Sequence, residues 1–194
     1  MLHINDLTYR IDGRLLFERT SAGIPARHKV GLVGRNGVGK TTLLRLISGE
    51  ISPDEGEIRT PKHASMCLVS QEAPGGPESL LDTVLAADSE RAALLDEAET
   101  AREPNRIAEI HMRLGDIDAH SAPARAASIL SGLGFDEAEQ QRPCAEFSGG
   151  WRMRVALASA LFASPDTLLL DEPSNYLDLE GTLWLENFLK SYPH

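Results

Sequence analysis

The sequence predicts an α/β fold: a central, mostly parallel sheet, an antiparallel β region at the amino-terminal end, and a helical subdomain inserted between two parts of the core. Three observations carry this expectation. The apolar run Val30-Gly31-Leu32-Val33 feeds a glycine-rich stretch, Gly34–Thr41, and then a segment, Thr41–Ile47, with helical spacing. A second apolar run, Thr167-Leu168-Leu169-Leu170, ends in two carboxylates, Asp171 and Glu172. Between them, from about Ser79 to Leu133, Ala, Leu, Glu and Arg dominate and apolar residues recur at three and four. Strands that alternate with helices in this way bury a parallel sheet under helical layers.

The elements follow in order. Leu2, Ile4 and Leu7-Thr8-Tyr9 read as a strand, Asp12-Gly13 as a turn, and Leu15-Leu16-Phe17 as a returning strand. Pro25-Ala26-Arg27 breaks the chain before a buried strand expected from about Lys29 to Val33. The helix after the glycine loop ends at Ser48-Gly49, where glycine suits a C-cap. Ser52–Gly56 is a turn, and Glu57-Ile58-Arg59 and Ser65–Val69 are further strands. Helices are expected over 79–87, 89–102, 104–119 and 123–132, punctuated by Pro104 and Pro123. A helix over 150–163, the strand Thr167–Leu170 and an amphipathic helix over 179–191 complete the chain. The expected division is a core of 1–75 and 146–194, with 76–145 as the helical subdomain.

The bulk composition excludes several classes. At 194 residues with 42% hydrophobic and 25% charged residues, the chain can build a globular core. Its net charge of −10 argues against a bulk field that draws it to nucleic acid. Cys67 and Cys144 have neither metal-site nor disulfide spacing, which suits a reducing cytoplasm. No stretch approaches the roughly 20 apolar residues of a membrane helix, and the start carries no basic lead or apolar signal core. The expectation is a cytoplasmic protein. Within 86–122 stand nine acidic residues against four arginines (Arg91, Arg102, Arg106, Arg113), the pattern of a solvated helical pair.

Chemistry enters with Gly34-Arg35-Asn36-Gly37-Val38-Gly39-Lys40-Thr41, which fits G-x-x-x-x-G-K-[ST]. A strand, a glycine loop and a helix N-terminus aim successive N–H groups at one point, a cradle for the phosphates of a nucleoside triphosphate. Lys40 can reach the terminal phosphates, and Thr41, followed by Thr42 on the same first turn, can offer its hydroxyl to Mg²⁺. In a parallel sheet the carboxyl ends of the strands line the ligand crevice, which brings Asp171 toward the metal. Glu172 is then placed to orient or deprotonate the water that attacks the γ-phosphate.

With these residues in order, the chain resembles an ATP-binding cassette (ABC) ATPase, a family with a P-loop NTPase core. Besides Gly34–Thr41 and Leu168–Glu172, Gln71 is similar to the family's Q-loop glutamine. Phe147-Ser148-Gly149-Gly150-Trp151 is similar to its signature loop, with Phe147 for the usual Leu and Trp151 for the usual Gln. Ser174-Asn175-Tyr176-Leu177-Asp178 is similar to its D-loop. The resemblance covers essentially the whole chain. It implies ATP and Mg²⁺ as cofactors, with Gln71 beside Thr41 and Asp171 at the metal and Lys40, Gln71 and Glu172 in hydrolysis. It also implies that Ser148, Gly149 and Gly150 close over the ATP of a second, head-to-tail cassette.

Asp171-Glu172-Pro173-Ser174-Asn175-Tyr176-Leu177-Asp178, together with Trp151-Arg152-Met153-Arg154-Val155, resembles the ABC-F branch of paired cassettes without a membrane domain. That branch implies the ribosome as partner and makes 86–122 the short arm such proteins insert. The alternative is the ATP-binding subunit of an ABC membrane transporter, which shares the core motifs; a repair or chromosome-organising ATPase would want longer coiled-coil insertions. Two departures stand out. The family's adenine-stacking place falls on Ile11, with Tyr9 two residues earlier on the same strand face. The chain ends at Tyr192-Pro193-His194, before the strand that leads to a switch histidine, so the expectation is an amino-terminal cassette cut short, weakly active by itself, with a sheet edge exposed.

Overall fold

The computed structural model describes residues 1–62, 64–69 and 74–193. It separates into two compact units: Met1–Val69 with Pro165–Glu172 and Ser191–His194, and Ser70–Ser164 with Pro173–Lys190.

The first unit opens with β1 (Leu2–Ile11) and β2 (Arg14–Ile24), an antiparallel hairpin closed by Asp12 and Gly13. Both turn residues have positive φ (49° and 79°), the backbone of a two-residue hairpin turn whose twist matches its strands. Strand β3 (Glu55–Arg59) pairs on the other side of β1, giving the order β2-β1-β3. A Cβ on Gly56 would run into the carbonyl oxygens of Asn5 and Asp6, so only glycine permits this approach at the β1 irregularity. Leu2, Ile4 and Leu7 face inward and pack with Leu46, Ile47 and Leu169.

Strands β4 (Met66–Leu68) and β5 (Thr167–Leu169) form a parallel pair in the register Met66↔Thr167. The pair is clamped where it begins. Asp166 Oδ2 accepts from the Ser65 N–H (2.8 Å) and hydroxyl (2.9 Å), and the Ser65 hydroxyl accepts from the Asp166 N–H (3.0 Å). Helix α1 (Lys40–Ser48) buries Leu46 and Ile47 in the same cluster and stops at Gly49, φ 79°.

One sequence expectation is corrected. Val30–Val33 belongs to no strand, and Val30, Leu32 and Val33 are 62%, 45% and 94% exposed. An apolar run becomes a buried strand only when a neighbouring strand takes up its N–H and C=O groups, and the described pairings give this run no neighbour.

The second unit is helical: α2 (Leu80–Leu85), α3 (Ser89–Thr100), α4 (Pro104–Asp116), α5 (Ala122–Gly132), α6 (Glu137–Gln140), α7 (Gly149–Ala163) and α8 (Leu179–Ser191, with Ser191 grouped in the first unit). The sequence expectations for α2, α3, α4 and α5 hold to within a few residues, because caps and prolines mark their starts. Ser79 accepts from the Asp82 N–H (3.0 Å), Asp88 from the Arg91 N–H (2.9 Å), and Pro104 and Pro123 sit in first turns. Helix α6 was not foreseen, although Asp136 and Glu139 form a capping box readable as D-x-x-E.

Helix α7 is apolar nearly all round, with Met153, Val155, Leu157, Ala158, Ala160, Leu161 and Phe162 buried. Such a helix must be covered on several faces. Phe135, 1% exposed, meets the rings of Phe147 (5.7 Å) and Trp151 (5.0 Å) edge-on beside its start.

Helices α3 and α4 form a hairpin around Ile110, Leu114 and Ala119, with Leu94 and Ala98 packed against them. Three of its four arginines are committed within it. Arg106 binds Glu97 through two nitrogens (2.6 and 2.8 Å) and reaches Glu109 (3.0 Å). Arg113 binds Glu90 (2.6 and 3.1 Å), and Arg91 donates to the Ala119 carbonyl (3.4 Å). These contacts hold Glu97 and Glu90 below the usual carboxylate range and raise Arg106 and Arg113 above theirs.

Gly132, at the end of α5, lies against the Trp184 indole of α8, and a Cβ there would overlap the ring. Gly→Ala inside a helix ordinarily stabilises by roughly 0.5–1 kcal/mol. Here Gly132→Ala is expected to destabilise by about 1–3 kcal/mol through overpacking, read from denaturant midpoints; a raised midpoint contradicts the contact.

Candidate functional site

In the first unit the glycine loop is held in a shape that other residues could not adopt without strain. Gly37 and Gly39 have φ of 75° and 106°, and Gly39 serves as the N-cap of α1. A Cβ on Gly39 would lie 2.8 Å from Leu16 Cδ2 and 3.2 Å from Phe17 Cζ, so these β2 side chains lie directly over the loop. The Val38 N–H donates to the Arg35 carbonyl (3.3 Å), closing a turn through Asn36. A Cβ on Gly34 would meet Val38 Cγ1 at 2.9 Å. The first turn of α1, with Lys40, Thr41 and Thr42, carries no acidic residue. Its N–H groups have no intrahelical acceptor and present the positive pole of the helix uncompensated.

Lys40 curls over this loop. Its Nζ donates to the carbonyls of Gly34 (3.1 Å) and Arg35 (3.4 Å) and lies 3.5 Å from Glu172 Oε1. The side chain is only 17% exposed, so its charge needs these oxygens or others. The Thr41 hydroxyl donates to Asp171 Oδ2 at 2.5 Å. Residues 130 apart in sequence thus meet at the end of β5, where the parallel-sheet argument placed them. Glu172 has φ 47°, a left-handed conformation that non-glycine residues hold at a cost of order 1 kcal/mol and that clusters at functional sites. Hydroxyl and carboxylate oxygens side by side form a hard donor set suited to Mg²⁺. A loop with positively directed N–H groups and a lysine head folded over it suits a polyphosphate. Gln71 lies outside the described residues, as does His194.

In the second unit Ser148 is the N-cap of α7, and its hydroxyl makes no capping hydrogen bond to the helix. Gly149 and Gly150 open the first turn, which has no acidic residue, and the Tyr176 ring stands beside Gly150, 3.9 Å from where a Cβ would be. The D-loop segment begins with a 3₁₀ turn, Pro173–Tyr176, and ends at Asp178. There Asp178 Oδ1 accepts from the Gly181 N–H (2.8 Å), starting α8. Arg154 of α7 joins the two stretches. It donates to the Tyr176 carbonyl (2.6 Å) and the Leu133 carbonyl (3.0 Å), reaches Asp178 Oδ2 (3.3 Å), and stacks over Trp151 (4.3 Å).

Of the two candidates for stacking on adenine, Tyr9 is partly buried against the sheet core, whereas Ile11 is 40% exposed beside the hairpin turn. Leu16 and Phe17 over the loop and Arg154 between signature and D-loop were not foreseen. Phe17 sits in an apolar triplet that reads only as strand, and the hydrogen bonds of Arg154 span 21 to 24 residues without periodicity.

A glycine cradle completed by a lysine and a hydrogen-bonded hydroxyl–carboxylate pair, with a Ser-Gly-Gly helix start elsewhere in the chain, fits an ATP-binding cassette. Residues 17–175 match the family described as ABC transporter, and the chain belongs to that family. It is 46% identical over 195 residues to the "Probable ATP-binding protein YheS" of Escherichia coli K12, covering 99% of this chain and 31% of that protein. It is 44% identical over 203 residues to human ATP-binding cassette sub-family F member 3, covering 99% of this chain and 28% of that one. The likeness therefore lies with ABC-F proteins, and the chain spans less than a third of their length.

Among solved structures, an ATP-binding subunit of an ABC transporter superposes with a TM-score of 0.71 at 18% identity, covering 99% of this chain and 74% of the other. A bacterial ABC transporter cassette solved as a dimer gives 0.66 at 21%, covering 98% and 82%. These likenesses establish the fold. Among the described residues no helix is long and apolar enough to cross a membrane.

The Gly181 N–H, and after it the charge of Arg154, hold the Asp178 carboxyl below the ordinary aspartate value. Its contribution to stability is therefore fully present above that ordinary value, near ~4, and is lost as pH falls through the depressed one. An NMR titration of the Asp178 side chain checks this. A midpoint at or above the ordinary value contradicts the capping geometry.

Proposed function

We propose that this chain is a cassette of an ABC-F type ATPase of the cytoplasm that binds Mg-ATP, closes head-to-tail on a second cassette, and hydrolyses the nucleotide on the ribosome. The observation that carries the reading is the 2.5 Å contact between Thr41 and Asp171, with Lys40 and Glu172 3.5 Å apart beside it. Metal-binding and phosphate-binding groups from opposite ends of the sequence converge there on one point. The sub-family F relative supports the branch, and the ribosomal partner is what the resemblance to that branch implies. The head-to-tail pairing is what the family resemblance implies, and a cassette of the same fold has been solved as a dimer.

In this reading the loop N–H groups from Gly37 to Thr42 and the Lys40 ammonium hold the triphosphate, and Lys40 exchanges its bonds to Gly34, Arg35 and Glu172 for phosphate oxygens. Thr41 and Asp171, with Gln71, would hold Mg²⁺, which when bound neutralises charge on the terminal phosphates. Once Lys40 turns to phosphate, the Glu172 carboxylate accepts the proton of the attacking water. Ser148, Gly149 and Gly150 serve the partner cassette's nucleotide through a hydroxyl and a helix N-terminus. ATP drives closure only through contacts that it makes in the closed state. The α3–α4 hairpin, within 86–122, is the partner-contacting arm. With Arg106 and Arg113 spent on its own carboxylates, it engages protein surfaces or RNA bases by shape rather than phosphates by charge.

Lys40→Ala is expected to weaken Mg-ATP binding about 10- to 100-fold, the worth of a charge-assisted contact, as read by calorimetry. Unchanged affinity removes Lys40 from the cradle. Glu172→Gln is expected to leave binding intact while turnover falls by roughly 10²–10⁴, with the closed pair accumulating. A variant that hydrolyses at the parent rate overturns the assignment of the base.

A further inference from the structure

We propose that Arg154 is a positioning residue for hydrolysis: it holds the segment Pro173–Asp178, which continues directly from Glu172, to the helix that begins at Ser148-Gly149-Gly150. The inference rests on the proposed ATPase reading and deepens it.

The Arg154 side chain is 11% exposed, so its charge has left most of its water and must be repaid by partners. It has four. Nε donates to the Tyr176 carbonyl at 2.6 Å, and Nη1 donates to the Leu133 carbonyl at 3.0 Å. Both Nη1 and Nη2 lie 3.3 Å from Asp178 Oδ2, and the guanidinium plane covers Trp151 at 4.3 Å. Only a planar fork of five donors meets two carbonyls, a carboxylate and an indole face together. A Cβ on Gly134 would come within 2.9 Å of Nη1, so the turn after α5 is also shaped around this group.

The start of α8 does not need this arginine. Asp178 caps that helix with its other oxygen, Oδ1, through the Gly181 N–H at 2.8 Å. What Arg154 adds is a grip on two points of the segment after Glu172, a backbone carbonyl at Tyr176 and a side chain at Asp178. The same segment lays the Tyr176 ring beside Gly150. One end of it is therefore joined by a peptide bond to the backbone of Glu172, whose carboxylate is assigned as the base, and its middle stands against the helix start at Gly150. A guanidinium that immobilises the segment limits the backbone freedom of the chain as it leaves Glu172 and keeps the Tyr176 ring beside Gly150.

The test compares the intact protein with Arg154→Lys, which keeps a positive charge but cannot span the four partners, and with Asp178→Asn, which retains the acceptor for Gly181. Three quantities are read: Mg-ATP affinity, steady-state turnover, and amide hydrogen exchange of 34–41 and of 173–182 with and without Mg-ATP. For Arg154→Lys the expected result is affinity within about twofold of the parent and turnover lowered roughly 10- to 100-fold. Exchange over 173–182 is faster, and the nucleotide-induced protection of 34–41 is retained. Asp178→Asn shifts the same quantities in the same direction by less, and the double variant loses no more than Arg154→Lys alone. Turnover at the parent level in Arg154→Lys overturns the inference. So does a loss of affinity, turnover and melting temperature in step, which marks a general structural role. If Arg154→Lys does not fold, Asp178→Asn decides on the same readings, and unaltered exchange at 173–182 with unaltered turnover overturns it. Absence of nucleotide protection at 34–41 in the parent protein defeats the ATPase reading itself, and the inference with it.

Discussion

The pairing of β5 with β4 is the constraint from which the nucleotide site follows. Two parallel strands of three residues make a short ladder, and its register is set where it begins, by the reciprocal bonds between Ser65 and Asp166. That register fixes where the chain leaves β5. Within four residues of leaving it, the chain places Asp171 against Thr41 and Glu172 near Lys40. A slip of one residue would turn Leu169 out of the core and carry Asp171 away with it. Helix α1 is bound by the same logic, because Leu46 and Ile47 lie in the cluster that buries Leu169.

A second constraint is electrostatic. The starts of α1 and α7 both lack acidic residues in the first turn and both open on glycines. Helices α2, α3 and α6 neutralise their own starts, with Ser79 and Asp82, Asp88 and Glu90, and Asp136 and Glu139, whereas α4 and α5 have no acidic first turn either but begin on a proline turn. What sets α1 and α7 apart is the combination of an uncompensated first turn with glycines, which lets an external anion approach the backbone N–H groups closely.

Local signals in the sequence were enough to read much of this. The glycine loop, the paired carboxylates after Leu170, the Ser-Gly-Gly stretch and the proline-marked helices all depend on contiguous residues or on short periods. What stayed hidden depends on residues meeting across the fold. Val30–Val33 has the composition of a strand, but the described pairings give it none, and the pattern could not show whether a neighbour exists. Phe17 looks like any strand aromatic until the backbone brings it over Gly39. Arg154 looks like one more charge on a helix until Tyr176 and Asp178 arrive beside it. The Gln71 expectation falls outside the described residues.

The helical hairpin carries a last consequence. Helix α3 buries no residue fully, and its hold on α4 combines a narrow strip of Leu94 and Ala98 with two bidentate contacts, Glu97 to Arg106 and Glu90 to Arg113. Those contacts lie in solvent, where screening shortens their range to about 8 Å at physiological ionic strength and to about 3 Å at 1 M. Screening does not weaken the apolar strip, so added salt softens the hairpin's edges without parting it. The stiffness of the hairpin is thus set partly by the surrounding electrolyte.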